Sequence, residues 1–376
     1  MSKSKHSEIS TAHRFILSGG GTGGHLFPAI AIANQLKAKF PDAEFLFVGA
    51  KGKMEMEKVP LSGYEIKGLW ISGFQRNELW RNLNLPFKLL DSFIKSRRII
   101  KKFKPTVAIG TGGYASFPLL FMASRNNIPT LIQEQNFFPG ISNKLLAKHV
   151  DKVCTVYPGM EKYFPKEKIV ITGNPIRADI QLSTQNKDKY YEIFGFDKNK
   201  KTLLVIGGSL GAKTINQAIL SGMDYLKEND IQLIWQTGRY YDELTEIHGV
   251  ETCKNCWIGS FINNMGVAYS IADLVVSRAG AISISELAVL GKASILIPSP
   301  NVAEDHQTKN AMALADGKAS LVLNDKEAVE KLIPMVLNTI NSDHVLNELS
   351  KNIENFARPE STSEIVKEVE KLIQTK

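Results

Sequence analysis

Nowhere in the 376 residues does an apolar run approach the ~20 that a membrane-spanning helix needs. The start, MSKSKHSEIS, is polar and lacks the apolar core of a secretory signal, so the chain is expected to mature in the cytoplasm. Cysteine is scarce. Of the three, Cys253 and Cys256 have the spacing of half a zinc site or of a redox motif, but no second pair completes a four-ligand set. Cys154 is remote and adding His248 still leaves a ligand missing, so thiols without metal are expected. Asp-x-Asp, the pair that often holds a nucleotide diphosphate through a divalent ion, does not occur at all. Its lack points to backbone dipoles in that role, with no metal and no cofactor.

What is present describes a soluble globular protein: 43% hydrophobic and 22% charged residues, at a length that suits two domains. A formal charge of +8 predicts an anionic partner, whether nucleic acid, membrane surface or phosphorylated substrate.

The most informative stretch is Arg14 to Leu36. The apolar run Phe15-Ile16-Leu17 reads as a buried strand, Ser18 to Gly24 as a glycine-rich loop, and Leu26 to Leu36 as a helix. Five glycines in the six positions 19–24 clear Cβ atoms from the backbone, so that a phosphate or sugar can approach it. His25 stands where loop meets helix and is a candidate base or orienting group; the alternative is a structural histidine. The loop is not a Walker A motif, because no Lys-Ser/Thr pair closes it. Gly19, Gly21 and Gly24 do match G-x-G-x-x-G, so a dinucleotide oxidoreductase stays open. Such an enzyme usually carries an acidic residue at the end of the second strand, where this chain has Val48-Gly49-Ala50.

Strand and helix patterns then alternate, which implies parallel strands with crossover helices. Strands are expected at 44–49, 105–110, 129–134 and 152–156, with a short edge strand at 64–67. Between Leu69 and Lys104, large apolar residues, among them Trp70, Phe74 and Trp80, adjoin the cations Lys95, Arg97, Arg98, Lys101, Lys102 and Lys104. Part of this is an amphipathic helix with a solvated basic face; the aromatic loop beside it predicts contact with an anionic membrane surface. The polar stretch Ile169 to Lys201 marks an inter-domain boundary, after which a second α/β unit begins at Thr202.

That unit repeats the opening device. Gly207-Gly-Ser209-Leu-Gly211 is a second phosphate-type loop, in which Ser209 caps the next helix or binds a phosphate. After the strand Leu274-Val-Val, residues Ala279 to Ile282 offer N–H groups at a helix start, suited to a diphosphate. Glu286, a turn further on, is placed to accept ribose hydroxyls or to favour the helix dipole. The polar loop leading to His306-Gln307 can read sugar hydroxyls, and Arg177 faces either a cleft or solvent. Two glycine-loop domains do not suit a nucleic-acid binder.

In this order, SGGGTGGHLFPA, GTGGYASFP, QEQNFFPGISNK, GNPIR, GGSLGA, FINNM, SRAGAISISEL and HQTKNA closely resemble the MurG family. The resemblance implies a GT-B fold: two Rossmann-like domains with a cleft between them, an N-terminal one over 14–173 and a C-terminal one over 174–358. The segment 359–376 would cross back to the first, and 1–13 form a disordered lead. It implies inverting transfer of N-acetylglucosamine from UDP-N-acetylglucosamine to the 4-hydroxyl of undecaprenyl-pyrophosphoryl-muramyl-pentapeptide. The enzyme would be peripheral, on the cytoplasmic face of the plasma membrane. Implied donor contacts are Ile262 at uracil, Glu286 at ribose, Ser209 and Ala281, Ile282, Ser283, Ile284 and Ser285 at the phosphates, Gln307 at sugar hydroxyls, and Arg177. From the first domain Thr22, Gly23, Gly24 and Asn136 would face the donor sugar. A diacylglycerol glucosyltransferase would share the loops and differ in the first domain.

Overall fold

The computed structural model describes residues 12–73, 82–176, 180, 187–208, 210–241, 255–302 and 305–375. Phe74, Trp80, Arg177, Ser209, His248 and Cys253 lie outside the described residues.

The chain divides into two compact units. Unit 1 comprises residues 1–134, 139–171 and 362–376; unit 2 comprises 135–138 and 172–361. Residues 135–138, Asn136 among them, therefore group with unit 2 although unit 1 flanks them in sequence.

Unit 1 is built on seven parallel strands: β1 (Arg14–Gly19), β2 (Glu44–Ala50), β3 (Glu65–Leu69), β4 (Val107–Gly112), β5 (Thr130–Glu134), β6 (Lys152–Thr155) and β7 (Ile169–Ile171). Their order is β3-β2-β1-β4-β5-β6-β7. The central strands read as unbroken apolar runs because helices cover both faces. Alternate residues of each strand feed separate cores. Phe15, Leu17, Phe47 and Ile109 pack with Leu26, Ile32 and Leu36 of the Gly23–Lys39 helix. Ile365, Val366, Val369 and Leu372 of the terminal Ser361–Gln374 helix complete that core. Ile16, Leu46, Val48, Ala108 and Ile132 face the other way, against Ile100, Leu119, Leu120 and Ala123.

Unit 2 holds six parallel strands: β8 (Thr202–Ile206), β9 (Gln232–Gln236), β10 (Cys256–Gly259), β11 (Leu274–Ser277), β12 (Ser294–Leu296) and β13 (Leu321–Val322). The order is β10-β9-β8-β11-β12-β13. Leu203, Val205, Trp235, Val276 and Ile295 pack with Ile215, Ile219, Leu332 and Val336 on one face. Leu204, Ile234, Val275 and Leu296 meet Tyr269, Leu287 and Leu314 on the other.

Each sheet reverses direction once, between β1 and β4 and between β8 and β11. In open parallel sheets the crevice outside the carboxyl ends of the strands at such a reversal is where ligands bind. Both glycine loops sit at these points. Three boundaries depart from the sequence reading. The first helix begins at Gly23 rather than Leu26, which puts His25 in its first turn. Strand β7 falls in the stretch read as the inter-domain boundary, and β13 in a segment to which no element was assigned; at three and two residues they are too short for periodicity to declare them. Within the polar boundary stretch, Lys187–Phe194 is helical. Cys256 is disulfide-bonded, where free thiols were expected, and Cys154 is a buried free thiol.

Candidate functional site

In unit 1 the two strands at the reversal are tied through His25. Its Nδ1 lies 3.0 Å from the Thr111 carbonyl oxygen near the end of β4. The Thr111 hydroxyl donates back to the His25 carbonyl at 2.6 Å. A carbonyl only accepts, so the imidazole proton is on Nδ1 and the lone pair is on Nε2. The ring also packs on Gly112, where a Cβ would lie 2.7 Å from Nδ1.

The glycines of the opening loop have separate reasons. A Cβ at Gly19 would collide with Thr111 and the His25 carbonyl, one at Gly20 with the Glu55 carboxylate, and one at Gly23 would crowd Phe27 at 3.0 Å. Gly21 has φ +84°, which disfavours any side chain. Only at Gly24, which is exposed, is the space open, with nothing nearer than Thr22 Oγ1 at 3.8 Å. The sequence reading gave all five glycines to ligand approach; internal packing accounts for most of them. Thr22 is exposed beside Gly24 and leaves its own helix without a side-chain cap. The first N–H groups of that helix lack intrahelical acceptors and carry its positive dipole end.

In unit 2 a cleft of about 420 Å³ opens at the β8/β11 reversal. Gly207, Gly208, Gly280, Ser283, Arg278 and Gln307 are among its lining residues. Gly280 precedes the Ala281–Val289 helix, which has no side-chain cap, and a Cβ there would meet only Ser283 Oγ at 3.8 Å. Gln307 is oriented by the Ser299 N–H, which donates to its Oε1 at 2.8 Å. Ser285 donates to the Ala281 carbonyl and accepts from Asn174 Nδ2, each at 3.0 Å. Ile284 is buried in the core, while Ile282 is only partly covered.

Glu286 and Ile262 do not line this cleft. Glu286 is buried one turn beyond Ser283 and accepts the Tyr269 hydroxyl at 3.1 Å. Ile262 is buried too, and its N–H donates to Gln236 Oε1 at 3.1 Å while Gln236 Nε2 donates to the Gly208 carbonyl at 3.1 Å. One buried amide thus ties the Ile262 loop to the glycine loop. Asn136 Oδ1 accepts a long 3.4 Å bond from Asn310 Nδ2, and Lys309 Nζ stands 4.0 Å over the Phe138 ring. Arg278 is held by Asp325 at 2.5 Å and by the carbonyls of Ile297 and Pro298. The reading from sequence missed Glu55, Tyr269, Gln236 and Asp325, because each acts across the fold and none lies in a motif.

The Leu85–Phe103 helix of unit 1 carries large apolar side chains on its outer face as well as on the face that meets the core. Its buried residues include Ser92 and Ser96, whereas Phe87, Leu90 and Ile94 are 67%, 60% and 45% exposed. The same stripe continues into exposed Arg97, Arg98 and Lys101, with Lys102 beside it. Small serines let the helix pack closely where Ile100, Leu89, Ile99 and Phe103 meet the core, while Phe87, Leu90 and Ile94 face outward. Trp70 is 47% exposed, with Lys88 Nζ 5.8 Å from its ring centroid. No helix among the described residues is long and apolar enough to cross a membrane, and none of their side chains group as metal ligands.

Residues 15–155 match the glycosyltransferase family 28 N-terminal domain, and 202–367 match the family's C-terminal domain. The chain is 52% identical to the UDP-N-acetylglucosamine--N-acetylmuramyl-(pentapeptide) pyrophosphoryl-undecaprenol N-acetylglucosamine transferase of Parabacteroides distasonis, over 97% of this chain and 99% of that one. It is 50% identical to the protein of the same name from Cytophaga hutchinsonii, over 96% and 98%. Among solved structures it is similar to Acinetobacter baumannii MurG, with a TM-score of 0.74 at 28% identity, covering 96% of this chain and 99% of that chain. With two parallel α/β units in the GT-B pattern and near-full-length identity of this order, the chain belongs to the MurG family of glycosyltransferases.

Proposed function

We infer that this enzyme transfers N-acetylglucosamine from UDP-N-acetylglucosamine to the lipid-linked N-acetylmuramyl-pentapeptide, the step that completes the disaccharide of the peptidoglycan precursor. The observation that carries the reading is family membership across nearly the whole chain.

In this reading unit 2 holds the donor. Backbone N–H groups of the Gly207–Gly208 loop and of the helix opening at Ala281 face the diphosphate, with Ser283 and Ser285 on the same helix start. Glu286, oriented by Tyr269, accepts the ribose hydroxyls. Gln307 and Asn136 read the sugar, and Ile262 lies at the uracil. Unit 1 supplies the acceptor side. The proton of the muramyl 4-hydroxyl passes to His25 Nε2 as its oxygen bonds to the anomeric carbon. The bond from that carbon to the diphosphate oxygen breaks with inversion, and UDP leaves with the charge spread onto the helix dipole. Trp70 and the stripe from Phe87 to Lys102 seat the enzyme on the anionic cytoplasmic face of the membrane, where the lipid-linked acceptor resides.

The test is calorimetric titration with UDP-N-acetylglucosamine, UDP-glucose and NADH, followed by a transfer assay with the lipid-linked acceptor. Selective binding of the first and product formation are expected; preference for UDP-glucose or NADH would overturn the assignment.

A further inference from the structure

Glu55 is 1% exposed and has no ion-pair partner among the described residues. Its two oxygens each accept one backbone N–H: Oε1 from Ala50 at 3.0 Å, Oε2 from Gly21 at 2.9 Å. It also opens the Glu55–Leu61 helix, a position at which the helix dipole favours a carboxylate. The chain is shaped around this carboxylate. A Cβ on Gly20 would collide with it, and one on Gly49 would fall 2.5 Å from Glu55 Cγ.

The consequence concerns what the opening loop can bind. In a phosphate cradle successive N–H groups of the loop converge on the anion. Here the Gly21 N–H is already bonded to the carboxylate of Glu55, which also holds the Ala50 N–H at the end of β2, and the His25 N–H is bonded to the Thr22 carbonyl at 3.2 Å. What the loop still offers is the helix start at Gly23 and Gly24.

We propose that Glu55 is a positioning residue for the acceptor side. By fixing Gly21 it confines the anion seat to the N–H groups of Gly23 and Gly24, in register with His25. This rests on the functional reading above. Loss of one of the two bonds lets the Gly20–Thr22 turn shift, and misplacement of about 1 Å costs on the order of a hundredfold in a positioned reaction.

The test uses Glu55→Gln and Glu55→Asp in the full-length enzyme. Gln has the same shape but only one acceptor oxygen; Asp keeps two acceptors on a shorter stem. Glu55→Gln is expected to raise the KM for the lipid-linked acceptor by about tenfold or more, with the UDP-N-acetylglucosamine Kd unchanged and Glu55→Asp falling between. Backbone amide exchange at Gly21 should quicken in Glu55→Gln. Unchanged acceptor KM, or a loss of kcat that only follows the folded fraction with both KM values intact, would overturn the proposal. If the wild type does not transfer at all, the functional reading fails, and Gly21 exchange still reports whether Glu55 holds the turn.

Discussion

The Nδ1 of His25 and the carbonyl oxygen of Thr111 stand 3.0 Å apart, which joins the first turn of a helix after β1 to the end of β4. The bond fixes both the tautomer and the plane of the ring, so Nε2 is the basic atom. Replacing His25 by Ala should lower kcat by about 10²–10⁴-fold, the contribution of a positioned base. Donor affinity measured by calorimetry should not move, because in the proposed reading unit 2 holds the donor nucleotide. Loss of UDP binding would make His25 structural.

Gly24 and Gly20 should respond in opposite ways to the same added methyl group. Gly20→Ala drives a Cβ into Glu55 and should destabilise the protein by roughly 1–3 kcal/mol in denaturant titration. Gly24→Ala meets open space and should fold normally while losing acceptor turnover. Equal turnover in Gly24→Ala and wild type would remove ligand approach as the reason for that glycine.

For the donor, Glu286→Ala should raise the KM for UDP-N-acetylglucosamine by roughly 10- to 100-fold, the scale of a hydrogen bond to a charged group. Tyr269→Phe, which removes only the hydroxyl that orients Glu286, should raise it about fivefold. An unchanged KM in Glu286→Ala would take this carboxylate away from the ribose.

Lys292 gives a pH signature separate from catalysis. Burial pulls its ammonium down to about 8, with Lys187 adding repulsion and Asp273 opposing it, while Nζ donates to the Ala272 carbonyl at 2.8 Å. Between pH 8 and 10 the unfolded chain binds the proton that the folded protein has released, so stability rises with pH in that window. Below it the full cost of the buried charge is present. Wild-type stability measured against Lys292→Met should therefore gain on the order of 2 kcal/mol from pH 8 to 10. A flat difference would show that the site does not perturb the lysine.

Membrane seating rests on the outward stripe. Phe87→Ser combined with Leu90→Ser should weaken cosedimentation with anionic vesicles at any salt, whereas Arg97→Gln with Arg98→Gln should weaken it mainly at low salt. Both variants should keep donor affinity. Binding that survives all four changes would place the contact elsewhere.

Sequence by itself determined the two α/β units and the positions of both glycine loops. Short apolar runs such as Leu203-Leu-Val-Ile206 and Val107-Ala-Ile109, each closed by glycine, read as strands covered on both faces. Motif order also carried the family, because Ser283, Glu286 and Gln307 lie within a few residues of the turns that position them. What the tertiary structure alone decided is what each residue is for. Gly20 answers to Glu55, 35 positions away, and the tautomer of His25 to a carbonyl 86 positions away. The outward face of the Leu85–Phe103 helix was likewise settled by which of its sides the neighbouring helix could pack against. Local pattern declares elements, because propensity and periodicity act within a few residues. Hydrogen-bond partners and burial are set by chain segments that only the finished fold brings together.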